Sequence, residues 1–221
     1  MIKMLVSSFY NTIIDEEDAI PTSTMFALDT LKKKKIKLTI LTNRLSEEVL
    51  YYNQDYPFID YIISLNGSII YDVKKNKWMK LHAFTKTELK KISQEFVDKE
   101  IWYYTQNEVW NMIPQEAVYK IEVQGVKEWK NDQYYTSFLK RNQKTYLEIG
   151  KNNPYDAVKK LKIDENEIIG IVGNDSEEWI VKNIPKTYVV RNASSYLKNQ
   201  AQNLTMSNKS KGVEAVIKKE L

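Results

Sequence analysis

The chain has 221 residues, a net charge of +4 and a hydrophobic fraction of 43%, which is an ordinary composition for a globular protein. It contains no cysteine and one histidine, His82, so a disulfide framework, a thiolate metal site and a cysteine nucleophile are excluded. Glycine is scarce, with 6 residues where average usage gives about 15. A protein that binds phosphate on glycine-rich loops therefore has few glycines to use here.

The first third of the chain alternates buried strands with helices. Strands are predicted at 2–8, 37–42 and 61–64, and a hairpin pairs 69–71 with 77–79. A helix is predicted at 22–34, with Thr22 or Ser23 as its cap and Phe26, Ala27 and Leu31 on its buried face. Ser46 begins a second helix. The order β-α-β-α-β predicts a parallel sheet covered by helices.

The pattern changes near residue 80. An amphipathic helix is predicted at 84–98, followed by aromatic strand-like segments at 101–104, 117–123 and 145–149. This segment is rich in tryptophan and tyrosine, which we interpret as the core and strand faces of a small α+β layer. The alternative, an exposed aromatic patch for a partner or ligand, stays open.

After residue 150 the first pattern returns. Helices are predicted at 154–162, 176–183, 194–201 and 210–220, and strands at 167–172 and 187–190. The sequence therefore predicts a parallel α/β unit interrupted by an α+β insertion.

The charge distribution indicates neither nucleic acid nor membrane as a partner. The run Lys32–Lys35 follows a predicted helix and is typical of a solvated helix C-terminus. A nucleic-acid surface requires more basic residues interleaved with aromatics. No apolar run approaches the roughly 18 residues that span a membrane. We expect a cytoplasmic protein.

Several segments, taken in order, resemble the haloacid dehalogenase (HAD) superfamily, in particular its Cof-type sugar-phosphate phosphatases. They are 5–14, 39–44, 64–72 and 172–179, followed by 188–193 and 207–213. The resemblance implies a Rossmann-like core formed by 1–80 and 150–221, with a cap domain at 81–149. In that family an aspartate after the first strand attacks phosphorus. A second aspartate exchanges the proton, and Mg²⁺ is bound beside them.

This chain departs from the family pattern at its charged positions. Ser8 stands at the position of the nucleophilic aspartate, Tyr10 at that of the acid/base aspartate and Asn174 at that of a metal-binding aspartate. Serine is neutral, and tyrosine, with an ordinary pKa near 10, is a poor base at neutral pH. Asn11 and Asn43 replace two motif glycines, and asparagine is among the residues that best adopt positive φ. We therefore expect the catalytic positions Ser8 and Tyr10 to be inactive.

Other motif residues are candidates for binding. By the resemblance, the predicted phosphate ligands are Thr12, Thr42, Asn43, Arg44 and Lys151, and the predicted metal ligands are Asn174, Asp175 and Glu178. Lys151 lies three residues before the expected lysine position, which Pro154 occupies. Asp175 and Glu177 are interpreted instead as capping and first-turn charges of the next helix. We expect the metal site to be lost, with Mg²⁺ as the cofactor if the family site is retained.

Two functions remain as hypotheses. The first is a catalytically degenerate HAD-fold protein that binds a small phosphorylated molecule or a protein partner. The second is an active Mg²⁺-dependent phosphatase for sugar phosphates or similar small phosphoesters, with altered catalytic residues. For the pocket itself, retained anion binding and a pocket filled by Tyr10 and asparagine side chains are both open.

Overall fold

The computed structural model describes residues 1–55, 57–151 and 153–221. Within these residues the chain forms thirteen strands and seven α-helices. The strands are β1 (Met4–Ser8), β2 (Lys37–Leu41), β3 (Tyr61–Ser64), β4 (Ile69–Asp72), β5 (Lys77–Lys80), β6 (Ile101–Tyr104), β7 (Val109–Trp110), β8 (Lys120–Gln124), β9 (Tyr135–Arg141), β10 (Lys144–Gly150), β11 (Ile168–Val172), β12 (Lys186–Val190) and β13 (Asn203–Thr205). The helices are α1 (Thr22–Lys33), α2 (Ser46–Asp55), α3 (Lys86–Glu95), α4 (Pro154–Lys160), α5 (Glu178–Asn183), α6 (Ser195–Gln200) and α7 (Gly212–Glu220).

Eight strands form one twisted sheet in the order β13-β12-β11-β1-β2-β3-β4-β5. Strands β13 to β3 run parallel, and the hairpin of β4 and β5 is antiparallel. The central strands β1 and β11 are buried along their full length, as expected for parallel strands covered on both faces. The predicted α/β core is therefore confirmed, and the segments before and after the insertion share one sheet.

The inserted segment folds as a separate layer, which we call the cap. Strands β6 to β10 form an antiparallel sheet in the order β7-β6-β8-β10-β9. Helix α3 packs on this sheet through Leu89 and Ile92, which join a hydrophobic cluster with Ile121 and Leu147. The α+β insertion predicted from the sequence is confirmed. Its tryptophans are half-buried, which favours the interpretation as packing residues.

Helix α1 differs from its predicted details. It begins at Thr22, Pro21 precedes it, and no side chain caps it. Phe26 is 71% exposed, whereas Ala27, Leu28 and Leu31 are buried. The prediction that Phe26 lies on the buried face is wrong, because the apolar stripe of α1 is centred on the other three residues.

The exposure of Lys32–Lys35 at the end of α1 confirms the expected solvated helix C-terminus. His82 is also exposed. No helix in the described part of the chain is long and apolar enough to cross a membrane.

Candidate functional site

The carboxyl ends of β1 and β11 lie side by side and bring two of the predicted motifs together. Ser8 ends β1 and is fully buried. Its hydroxyl accepts a hydrogen bond from the backbone amide of Gly173 at 3.1 Å and donates one to the carboxyl group of Glu177. Both partners lie on the segment that follows β11, so the Ser8 hydroxyl is fixed inside the protein.

Glu177 has a different role from the one predicted. It was expected to charge the first turn of the next helix, but α5 has no side-chain cap and the Glu177 side chain points to Ser8. Burial raises the pKa of Glu177 to about 8, although hydrogen bonds from Ser8 and Asn174 oppose the rise. At neutral pH this carboxyl group is therefore mostly protonated.

Tyr10 points away from Ser8, toward helix α2. Its hydroxyl donates to Glu48 at 2.9 Å, and the guanidinium of Arg44 lies 4.0 Å from its ring centroid. Arg44 also pairs with Glu48 at 3.1 Å. Burial raises the pKa of Tyr10 above its ordinary value, which makes the phenol an even weaker base at neutral pH. The Arg44 guanidinium thus contacts Tyr10 and Glu48 and is not free to bind phosphate in this conformation.

Asparagine side chains connect the loops at this edge of the sheet. Asn11 donates to the side-chain oxygen of Asn174 at 2.9 Å, and Asn174 donates to the backbone oxygen of Tyr10 at 3.0 Å. The Asn192 side chain donates to the backbone oxygen of Asn11 at 2.9 Å and accepts from the backbone N–H of Asn208 at 3.0 Å. Four loops are thus joined by neutral amides.

The two asparagines at motif glycine positions behave differently. Asn11 has φ +61°, as the sequence predicted. Asn43 is outside the positive-φ region. Its side chain donates to Glu148 of the cap at 2.9 Å, and its carbonyl accepts from the Lys120 ammonium at 2.7 Å. Asn43 therefore contacts the cap and does not serve as a phosphate ligand in this conformation.

The predicted metal ligands do not converge. The Asn174 side-chain oxygen already accepts from Asn11. The Asp175 carboxylate is bonded to Ser194. Glu178 contacts Lys182, Tyr196 and Gln200. Among the described residues, no three acidic or histidine side chains are close enough to hold a metal ion. An amide pair and separately bonded carboxylates do not fit a hard cation such as Mg²⁺.

The predicted phosphate ligands are also separated. Thr42 accepts from the backbone amide of Arg44 at 3.1 Å. Lys151 pairs with Glu88 of α3 at 2.9 Å. The Thr12 hydroxyl is buried beside Asn11 and, within the described chain, has no hydrogen-bond partner. Of the predicted phosphate ligands, Thr12 thus keeps an unused polar atom at the site.

Sequence reasoning missed a charged cluster where the cap meets the core. The ammonium of Lys120 lies 2.8 Å from the carboxylate of Glu122 and 3.0 Å from that of Glu148. Burial lowers the pKa of Lys120, but the nearby carboxylates, Glu148 first, raise it by more, so it ends above its ordinary value. Glu122 and Glu148 are paired in register across β8 and β10. Like charges that face each other across two strands repel, so this pairing explains the need for Lys120 between them. The pairing itself could not be deduced from the sequence.

A cleft of about 660 Å³ separates the core loops from the cap strand β9. The core side presents Asn11, Asn174, Asn192 and Ser194, and the cap side presents the segment from Tyr135 to Lys140. Phe138 and Tyr196 line it and are 38% and 56% exposed. The cleft therefore offers amides, hydroxyls and aromatic faces to a bound molecule, together with the carboxylates of Asp175 and Glu178 and the ammonium of Lys140.

A mainly parallel Rossmann-like sheet with an α+β cap over its carboxyl edge defines a class of capped α/β proteins. The family comparison gives a more specific result: a model of haloacid dehalogenase-like hydrolases matches residues 9–181. The chain belongs to this family. A search of curated protein sequences gave no match.

Solved structures share the fold over nearly the whole chain. A haloacid dehalogenase-like hydrolase from B. subtilis superposes with a TM-score of 0.85 at 14% identity, covering 100% of both chains. A HAD-superfamily phosphatase from Bacteroides thetaiotaomicron gives 0.81 at 14% identity, covering 99% of this chain and 95% of the other. A HAD subclass IIB sugar phosphatase gives 0.77 at 16% identity and covers 98% of each.

Proposed function

We propose that this chain performs no phosphoryl transfer and acts by binding a small polar ligand in the cleft between core and cap. The observation that carries the proposal is the burial and hydrogen bonding of the Ser8 hydroxyl. Its hydroxyl is fully buried and held by Gly173 and Glu177. A nucleophile must reach the reacting atom with a base at hand, and Ser8 is directed into the protein.

The former metal position supports the same proposal. Asn174 supplies a neutral amide that is already bonded to Asn11. Phosphoryl transfer depends on positive charge that offsets the developing negative charge on the phosphoryl oxygens. In this chain Arg44 is paired with Glu48 and Lys151 with Glu88. Neither cation is therefore free to offset charge on a phosphoryl group.

The cleft lining favours an uncharged or weakly charged polar ligand. Its amides donate and accept hydrogen bonds, and Phe138 and Tyr196 present ring faces. Such combinations of few polar groups with aromatic surface are typical of small-molecule sites. A phosphorylated ligand remains compatible through Lys140, a cationic side chain that also lines the cleft.

Thermal denaturation tests the two parts of the proposal separately. Because a ligand of the native state stabilises it, we expect the melting temperature to stay unchanged with millimolar Mg²⁺. We expect it to rise with some members of a panel of sugars and their phosphates. Asn192→Ala should abolish the ligand shift, and Asn203→Ala, at the far sheet edge, should leave it intact. A saturable Mg²⁺ shift would contradict the loss of the metal site.

Restoration of the missing carboxylates is a stronger test. Ser8→Asp alone places a second carboxyl group against buried Glu177, so the restoring set needs Glu177→Asn as well. We expect Mg²⁺-dependent hydrolysis of an aryl phosphate in the fourfold variant with Tyr10→Asp and Asn174→Asp. The threefold set that keeps Glu177 should unfold at a lower temperature. Equal stability of the two sets would count against the Ser8–Glu177 contact.

A second candidate, an active phosphatase with altered residues, is favoured by one contact. The Ser8 hydroxyl is bonded to Glu177, whose pKa is about 8, and an ionised Glu177 would serve as a base for serine. This function predicts hydrolysis that increases with pH up to about 8 and is lost in both Ser8→Ala and Glu177→Gln. A rate that is the same in wild type and Ser8→Ala would eliminate it.

A further inference from the structure

The carboxylate of Glu148 is surrounded by hydrogen-bond donors. Its Oε1 atom accepts from the amide of Asn43 at 2.9 Å and from the ammonium of Lys120 at 3.0 Å. Its Oε2 atom accepts from the amide of Asn66 at 3.2 Å and from the hydroxyl of Ser137 at 2.8 Å. Glu148 has no exposed surface. These four donors match the roughly four lone-pair positions that a carboxylate offers.

The donors come from two parts of the molecule. Asn43 and Asn66 follow strands β2 and β3 of the core, whereas Lys120 and Ser137 belong to strands of the cap. Lys120 is fixed further by the Asn43 carbonyl at 2.7 Å. Glu148 is therefore the point where hydrogen bonds from core and cap meet on one anion.

The charges of this cluster balance only when Glu148 is present. Lys120 and Arg141 are positive, and Glu122 and Glu148 are negative, with Arg141 lying 3.4 Å from Glu122. Removal of the Glu148 carboxylate leaves one positive charge in excess beside three donors that have lost their acceptor. Buried groups in that state are costly, and an anion from solution would relieve them.

We propose that Asn43, Asn66, Lys120 and Ser137 form a binding site for a small anion, and that the Glu148 carboxylate is a tethered anion that occupies this site and holds the cap against the core. The ligand class is a carboxylate of acetate size. This inference concerns the buried Glu148 carboxylate, which does not line the cleft although its donor Ser137 does, and it does not depend on whether the protein hydrolyses phosphates.

Chemical complementation tests the proposal. Glu148→Ala removes the groups that acetate can replace, so we expect acetate to raise the melting temperature of this variant in a saturable way. The rise should be roughly 3–6 °C at ten times the dissociation constant. Acetamide at the same concentration, with ionic strength held equal by sodium chloride, should give no comparable rise because it lacks the charge.

Two variants serve as controls. Leu147→Ala opens a cavity in the cap's apolar cluster, one residue away on the same strand, and should not respond to acetate. Glu148→Gln keeps the site filled and should not respond either. If Glu148→Ala does not fold in buffer, refolding in acetate is compared with refolding in acetamide. Selective recovery in acetate supports the proposal; equal recovery in both, or none in either, overturns it.

Discussion

The raised pKa of Glu177 makes a contribution to the stability of this protein that changes with pH. An unfolded glutamate loses its proton near 4.5, whereas burial raises the pKa of the folded carboxyl group to about 8. Between these values the folded state binds more protons than the unfolded state, so the free energy of unfolding falls as pH rises. Above about pH 8 both states are ionised and the loss is complete.

Glu177→Gln removes this titration and keeps a side-chain oxygen that can accept from Ser8. We expect the variant to be more stable than wild type at alkaline pH, by on the order of a few kcal/mol, with the difference disappearing below pH 4.5. Urea unfolding of both proteins across this range measures it. Parallel stability curves would show that Glu177 is not held protonated.

Lys120 makes a second prediction for a single residue. It is fully buried between Glu122 and Glu148, and the loss of one member of a buried ion pair leaves unpaired charge inside the protein. Lys120→Met should lower the free energy of unfolding by about 3–5 kcal/mol. The double variant with Glu148→Gln should lose less than the sum of the two single changes, because the two residues interact. Strict additivity would contradict their coupling.

The sequence predicted some site residues and missed others for a physical reason. Ser8, Tyr10 and Asn174 follow strands whose apolar pattern is plain, so their places in the fold could be deduced. Lys120 and Glu148 could not, because a charged residue in a strand normally faces solvent. Their burial depends on loops from a different sheet. Glu177 was misread because its local sequence is also that of a charged helix start.

Among the elements, the interior strands were predictable, whereas of the four edge strands only β5 was predicted, as part of its hairpin. Strands β1, β2 and β11 are almost continuous apolar runs. Strands β9 and β13 lie at the edges of their sheets and were not predicted. Only one neighbour pairs with each of them, and their side chains are mostly half-exposed, so neither shows a clear apolar pattern.

The turn between β3 and β4 gives a prediction at the level of elements. Gly67 has φ +84°, and a Cβ atom there would lie 2.5 Å from the Cα atom of Pro154 at the start of α4. Gly125 has φ +77° with nothing near a Cβ atom. Gly125→Ala should therefore lower the free energy of unfolding by about 1–2 kcal/mol through backbone strain alone. Gly67→Ala should lower it more, because the turn and α4 must also move apart. Denaturant unfolding compares the two, and equal costs would contradict the close contact.

Helix α3 offers a prediction about the cap. Thr85 accepts from the Glu88 amide at 3.2 Å, and the Glu88 carboxylate accepts from the Thr85 amide at 2.7 Å. Thr85→Ala should lower stability by about 1 kcal/mol. Thr85→Ser keeps the hydroxyl and should stay near wild type. A loss of equal size in both variants would mean that the capping hydrogen bonds are not its cause.

At the scale of the whole molecule, core and cap meet through polar and apolar contacts. The Glu148 cluster supplies the buried charges. Leu65 and Ile69 of the core also pack against Tyr104 and Tyr119 of the cap. The order of elements in the sequence was enough to predict an α/β unit with an α+β insertion, and the family resemblance implied that the insertion is a cap. The closeness of cap and core was not predictable, because it depends on side chains that are far apart in the chain.

The central claim is that this HAD-family chain binds without transferring a phosphoryl group. Its most direct measurement is phosphate release from an aryl phosphate and a panel of sugar phosphates, with Mg²⁺, at high protein concentration, for wild type and Ser8→Ala side by side. We predict that both proteins release phosphate at the same background rate, because Ser8 is buried and bonded to Gly173 and Glu177. Mg²⁺-dependent turnover in wild type that disappears in Ser8→Ala would contradict the account.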